Sequence, residues 1–261
     1  MAQRTFSIQF PKDLAVSQDQ EYFVLEHNGE KRRLLCHDYD EIYKVPGLYE
    51  HLFYEQLHCI SPETVCSLLE QELEDAPLEA SDLHVLDIGA GNGMVGEELA
   101  NMGVKQITGL DIIEEAAEAV DRDRPGIYED YYVADLTDLP DDVESSLEEK
   151  PLNCLTTVAT LGFGDIPPLA FATAYNFIET PGLLAFNIKD QFIGQKDKSG
   201  FASLITEMIS ADILDLRARK RYPHRVGLDG RPLYYVAFVA EKKEDLSGEF
   251  LEEWSECLVP A

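Results

Sequence analysis

The chain has 261 residues, enough for one generous core or a core with a modest accessory element, and its 45% hydrophobic and 10% aromatic content belongs to a packed globular protein. A formal net charge of -29, from 50 acidic against 21 basic residues, repels phosphate backbones and anionic lipid, so nucleic acid is disfavoured as a partner. No apolar run approaches the roughly 18 residues that span a bilayer, and the N-terminus lacks a basic segment followed by an apolar one, so a cytoplasmic location without membrane contact is expected.

The first predicted elements are two β-prone runs within residues 21–36, separated by Asn28-Gly29, a dipeptide that supplies the positive φ angles of a tight hairpin. From 38 to 73 the apolar spacing is helical, broken at Pro46-Gly47 and at Ser61-Pro62, the latter a cap and first-turn pair, so two or three helices are expected. The acidic stretch 74–82, with its Ala and Pro, reads as a linker. Residues 1–78 are thus expected to form an accessory segment, and 79–261 the main domain.

Beyond the linker, short apolar runs at 84–88, 106–111, 131–134, 152–158 and 182–188 alternate with helix-like stretches, the pattern of a parallel sheet covered on both faces. Two final strand-like runs, 213–222 and 233–240, have only a Gly-Leu-Asp-Gly turn between them and should pair antiparallel. A last helix is expected around 250–254. In and just after the first of these runs Arg217, Arg219, Lys220, Arg221, His224 and Arg225 concentrate positive charge, and their spacing reads as the solvated face of a strand. Five cysteines, Cys36, Cys59, Cys66, Cys154 and Cys257, are odd in number and form no CxxC pair, which points to reduced thiols rather than disulfides or zinc.

The stretch with the most chemistry runs Val85-Leu86-Asp87-Ile88-Gly89-Ala90-Gly91-Asn92-Gly93-Met94-Val95-Gly96. An apolar strand enters three alternating glycines and then a helix, whose first N–H groups are available to an anion. Residues 91–96 also spell GxGxxG, the fingerprint of dinucleotide-dependent oxidoreductases. The register favours another family. Asp87 followed by Gly89, Gly91 and Gly93 resembles motif I of the class I S-adenosylmethionine-dependent methyltransferases, and three later strands continue the resemblance: one ends at Asp111, one at Asp135, and the stretch 152–168 looks like the motif that borders the transferred methyl group. Where that family offers an acid early in this last strand, Asn153 stands here. The resemblance spans roughly residues 83–241.

The resemblance implies a Rossmann-like α/β fold: a seven-stranded, mostly parallel sheet with an antiparallel last strand, helices on both faces, and an N-terminal hairpin and helical accessory segment. It implies S-adenosyl-L-methionine as cofactor. Gly89, Ala90 and Gly91 would contact its methionine part, Asp111 the ribose, Ile112 and Leu136 the adenine faces and Asp135 the adenine amino group, with Tyr39, Asp87, Asn92, Met94 and Val158 also expected at the cofactor. Ile112 and Leu136 also read as plain core, and Asp135 as the cap of a turn. The segment from His37 through Tyr39 to Glu50 is similar to the tyrosine-aspartate lid of many small-molecule methyltransferases. Methyl transfer needs mainly alignment and exclusion of water, so no catalytic residue is assigned; His37, Asp165, Asp190 and His224 are candidates for a base. A small-molecule acceptor is expected, and no metal site. The competing readings are an NAD-dependent oxidoreductase and a non-catalytic cofactor-binding protein.

Overall fold

Asn28 and Gly29 take φ angles of 53° and 81°, so β2 (Tyr22–His27) and β3 (Glu30–Leu35) close as the expected hairpin. A third strand, β1 (Phe6–Gln9), adds antiparallel to β2. It is only four residues long and half-buried, too short for its alternation to stand out in the sequence. The structure is a computed structural model that describes residues 4–11, 18–74, 78–161, 166–192 and 200–257.

Helix α1 (Tyr39–Tyr43) and α2 (Leu48–Glu50), the latter continued by a π-helical turn His51–Gln56, bury Ile42, Leu48 and Leu52 against Phe23 and Leu25 of the hairpin. Helix α3 (Ser61–Glu74) behaves differently. Its Val65, Leu69 and Leu73 pack with Val85, Ala185 and Val239 of the main sheet. The apolar stripe of α3 thus faces the main sheet rather than the hairpin. Of the expected linker, 75–77 lie outside the described residues and Ala80–Asp82 form a short 3-10 turn.

The main sheet holds seven strands in the order β6-β5-β4-β7-β8-β10-β9: β4 (His84–Ile88), β5 (Gln106–Asp111), β6 (Asp130–Val133), β7 (Cys154–Leu161), β8 (Gly182–Lys189), β9 (Leu214–Val226) and β10 (Pro232–Lys242). Pairings from β6 to β8 are parallel, and β10 runs antiparallel to both β8 and β9. This is the Rossmann-like arrangement expected. Helices α4 (Met94–Met102), α5 (Glu114–Asp123), α6 (Asp141–Glu148), α7 (Pro168–Asn176) and α8 (Phe201–Ser210) connect the strands, and α9 (Gly248–Cys257) closes the described chain. On one face, Phe171 and Phe201 meet edge to face at 4.9 Å over Phe186, each fully buried aromatic contributing about 1.5–3 kcal/mol. On the other, α3 and α4 cover Val85, Ile107 and Cys154.

The basic run divides into an exposed and a buried part. Arg217, Arg219, Lys220 and Arg221 are exposed on β9, the sheet's outermost strand, but His224 and Arg225 are 5% and 3% exposed, because the end of β9 turns under the hairpin. Cys36, Cys59, Cys66 and Cys154 are buried and free; the side chain of Cys257 lies outside the described residues. Among the described residues no helix is long and apolar enough to cross a membrane, and no group of three or more His, Cys, Asp or Glu is placed to hold a metal.

Candidate active site

At the carboxyl end of β4 the chain reverses through Gly89 (φ 64°) and Gly91 (φ 54°), a left-handed conformation that side chains disfavour. Space matters as much as torsion here. A Cβ on Gly89 would stand 2.6 Å from Thr160 Cγ2, and one on Gly91 would stand 2.5 Å from the Tyr43 hydroxyl. Asp111, at the end of β5, ties the loop: Gly91 N–H donates to its Oδ2 (2.8 Å) and Ile113 N–H to its Oδ1 (3.0 Å). Beside it Ile112 is 62% exposed, an unusual position for a large aliphatic side chain.

After β6, Asp135 Oδ1 accepts the N–H and hydroxyl of Thr137 at 2.8 and 2.7 Å, and these bonds hold its carboxyl below the usual carboxylate range. The turn-capping reading of Asp135 therefore describes a bond that exists, in a residue that also lines the cavity. Leu136 is buried next to it. At the end of β7 the register with β8 breaks between Thr157 and Leu161, and Ala159 takes φ 64° while its N–H donates to Asn187 Oδ1 (2.7 Å). A non-glycine residue there stores strain, and it turns Val158 and Ala159 into the cavity.

The accessory segment forms the opposite wall. Tyr39, Tyr43, Tyr49 and Phe53 pack ring against ring in succession, with centroids 6.2 Å apart for the stacked Tyr39–Tyr43 pair and 5.2 Å and 4.7 Å for the tilted pairs Tyr43–Tyr49 and Tyr49–Phe53. Burial pushes the Tyr43 and Tyr49 hydroxyls above their ordinary range, so both stay neutral phenols. A polar clamp joins this wall to the glycine loop: Asn92 Nδ2 and Arg124 Nη1 both donate to Glu50 Oε1, at 2.7 and 2.8 Å, and Arg124 also donates to Glu97 and to the Asn92 carbonyl.

Together these residues enclose a cavity of about 240 Å³. Tyr39, Gly89, Ala90, Gly91, Asn92, Met94, Asp111, Ile112, Asp135, Leu136 and Val158 all line it. Asp87 does not. It lies beneath the loop, accepting the Tyr128 hydroxyl on Oδ2 (2.8 Å) and the Thr156 hydroxyl on Oδ1 (2.7 Å), and burial raises its pKa to about 7. Its place is that of a strut between β4, β7 and Tyr128, below the loop rather than in it. Asn153, at the opposite end of the sheet, accepts His84 N–H and donates to the Asp82 carbonyl. Of the candidate bases, His37 and His224 line the cavity. Asp190 pairs with Arg221 at the surface (2.9 Å), and Asp165, with 162–164, lies outside the described residues.

Sequence reasoning missed the far wall, made by Gln18, Cys59, Arg225 and Tyr235 with His224. Arg225 donates to Glu21 Oε2 at 2.6 Å, with the two side chains 2% and 7% exposed. Burial first, then the charges of Arg225 and Lys189, push the His224 pKa well below its ordinary value. The only local signal was the inward alternation of Tyr222 and His224 on β9, which the neighbouring charges masked.

Residues 86–186 match the model of a family described as Methyltransferase domain. This match selects the methyltransferase reading of the glycine loop over the dinucleotide one. Solved structures similar in fold include an S-adenosylmethionine-dependent methyltransferase from Clostridium acetobutylicum, 10% identical over 76% of this chain and 97% of that one, with a TM-score of 0.51. A SAM-dependent methyltransferase from Methanosarcina mazei is 17% identical over 62% and 92% of the two chains, TM-score 0.46. A ribosomal protein L11 methylase from Lactobacillus delbrueckii subsp. bulgaricus is 16% identical over 70% and 79%, TM-score 0.45. No curated protein matches the chain in sequence.

Proposed function

We infer that this chain, a class I S-adenosylmethionine-dependent methyltransferase, methylates a small molecule held in the same cavity as the cofactor. The observation that carries the reading is the lining itself. The glycine loop, Asp111, Asp135 and the tyrosine wall face one cavity that continues to a separate polar end at Gln18, His224 and Tyr235. A cavity walled on one side by the accessory segment suits an acceptor small enough to be enclosed. Four buried free thiols support a reducing compartment, the cytoplasm.

The residues fit the cofactor. Two glycines leave the loop without side chains where a Cβ would collide, and exposed Ile112 offers an aliphatic face at the cavity edge that a flat base would cover. In this reading the loop from Gly89 to Met94 and the start of α4 hold the amino-acid end, Asp111 takes the ribose, Ile112 and Leu136 flank the adenine, and Asp135 meets its amino group. When bound, the cofactor supplies an electrophilic methyl group on a sulfonium. The chain's part is to align and to dry the site: Tyr39, Tyr43 and Tyr49 put aromatic faces beside the cation and keep water out, and the Glu50–Arg124–Asn92 clamp holds them there. Residues 37–56 thus act as a lid.

The test is mass spectrometry of small molecules released from the purified protein, followed by a metabolite screen for S-adenosylhomocysteine formation. S-adenosylmethionine or S-adenosylhomocysteine is expected in the first step and turnover of a small molecule in the second. NAD in place of either overturns the cofactor reading. Turnover confined to RNA or protein substrates overturns the small-molecule acceptor.

A further inference from the structure

We propose that the end of the cavity away from the glycine loop is the acceptor subsite, and that it selects a neutral, planar molecule by a hydrogen bond donated from His224 Nε2 and one accepted by Gln18 Oε1. The proposal rests on the methyltransferase reading of the loop end.

The direction of the His224 hydrogen bond follows from a buried chain that can run only one way. The Ala159 amide can only donate, and it donates to Asn187 Oδ1 (2.7 Å). Asn187 must then turn its Nδ2 toward Tyr222 Oη, to which it donates at 2.6 Å. Tyr222 passes its own proton to Ser61 Oγ (2.6 Å), and Ser61 donates to His224 Nδ1 (2.6 Å). The opposite direction would leave the Tyr222 O–H without an acceptor in a buried site. The Cys59 thiol, kept protonated by burial, lies 3.8 Å from the same Nδ1 as a second donor. Nδ1 is therefore an acceptor, and the single proton of the neutral ring sits on Nε2. The ring lines the cavity, and its Nε2 has no partner among the described residues.

A complementary group stands on the same phenol. His224 packs on the Tyr235 ring at 4.1 Å, and Gln18 Nε2 lies 3.4 Å from the Tyr235 hydroxyl, while Gln18 Oε1 is buried with no partner among the described residues. One donor and one acceptor thus belong to the same aromatic wall, at the ring and at the hydroxyl of Tyr235. Of the two cations that act on His224, Arg225 is bound to Glu21 and to the Val226 carbonyl, and Lys189 is the other. An anion entering here would have to compete with Glu21 for Arg225, and a cation would give up water beside Arg225 and Lys189, whereas a neutral molecule with a carbonyl or ring nitrogen beside an N–H satisfies both groups. His224 in this state cannot take a proton. It positions the acceptor and leaves deprotonation to another group or to none.

Isoquinolin-1(2H)-one, whose lactam carbonyl and N–H are adjacent, serves as probe against benzoate and benzamidine, each titrated calorimetrically into the full chain loaded with S-adenosylhomocysteine. The lactam is expected to bind about tenfold tighter than either ion and to lose about tenfold in His224→Phe. His224→Gln, whose amide N–H reaches the place of Nε2, should retain most of the affinity. Absence of lactam binding, preference for benzoate or benzamidine, or indifference to His224→Phe overturns the proposal. Failure of S-adenosylhomocysteine to bind instead sinks the loop reading, so the two failures are separable. Should the variants not fold, two-dimensional NMR of 15N-histidine-labelled wild type reports the tautomer directly. An Nε2–H signal that shifts on adding lactam is expected; an Nδ1–H tautomer or an unmoved signal refutes the assignment.

Discussion

Gly91→Ala tests the cradle by adding one methyl group. The residue takes φ 54°, a conformation that costs an L-residue about 1–2 kcal/mol. The new Cβ would also stand 2.5 Å from the Tyr43 hydroxyl but 3.5 Å, an ordinary contact, from the ring carbon that bears it. Tyr43 is 6% exposed and stacked between Tyr39 and Tyr49, so it cannot swing away, and overpacking of this kind costs about 1–3 kcal/mol more. The expected loss of unfolding free energy is therefore about 2–5 kcal/mol. In Tyr43→Phe the colliding oxygen is gone, and the same glycine substitution should cost only the torsional part, about 1–2 kcal/mol. Urea denaturation of the four proteins of this double-mutant cycle, followed by circular dichroism, measures the difference. Equal losses in the two backgrounds would refute the packing of Tyr43 on the loop.

Asp111→Ala should weaken S-adenosylmethionine binding by about 1–3 kcal/mol in calorimetry; unchanged affinity removes its ribose role. Asp87, with a pKa raised from 3.8 to about 7 by burial, takes up a proton on folding. Its contribution to stability is full below pH 3.8 and is lost as pH rises through about 7. Roughly three pKa units correspond to about 4 kcal/mol, so wild type should lose stability relative to Asp87→Asn by an amount of that order between pH 4 and 7 in urea titrations, and a pH-independent difference would contradict it. Arg225→Met strands the Glu21 carboxylate, 5% exposed, and should cost about 3–5 kcal/mol, with most of it restored by Glu21→Gln in the same chain. Thermal melts that show no restoration would mean that the pair contributes by packing alone.

The parts of the site built from consecutive residues are legible in the amino-acid order itself. Gly89 to Met94 follow β4 directly, Asp111 ends β5 with Ile112 just after it, and Asp135 and Leu136 follow β6, so strand periodicity alone brings them to one sheet edge. Asp87 shows the limit of that reasoning. It belongs to the same motif, yet it is buried under the loop, where Thr156 and Tyr128, remote in sequence, supply its partners.

What the chain's residue order determined unaided was the sheet, its helices and the glycine-loop end of the cavity, because local spacing of apolar residues, glycines and acids sets strand ends and the shape of the turns that follow them. The other end of the cavity was decided only by tertiary structure. Gln18, Cys59, Ser61, Tyr222, His224 and Tyr235 come from the accessory segment, the start of α3 and the last two strands. Their hydrogen bonds exist only once β9 has been carried beneath the hairpin, and a charge run that reads as solvated becomes in part a buried wall because Glu21 arrives from 204 residues away to meet Arg225.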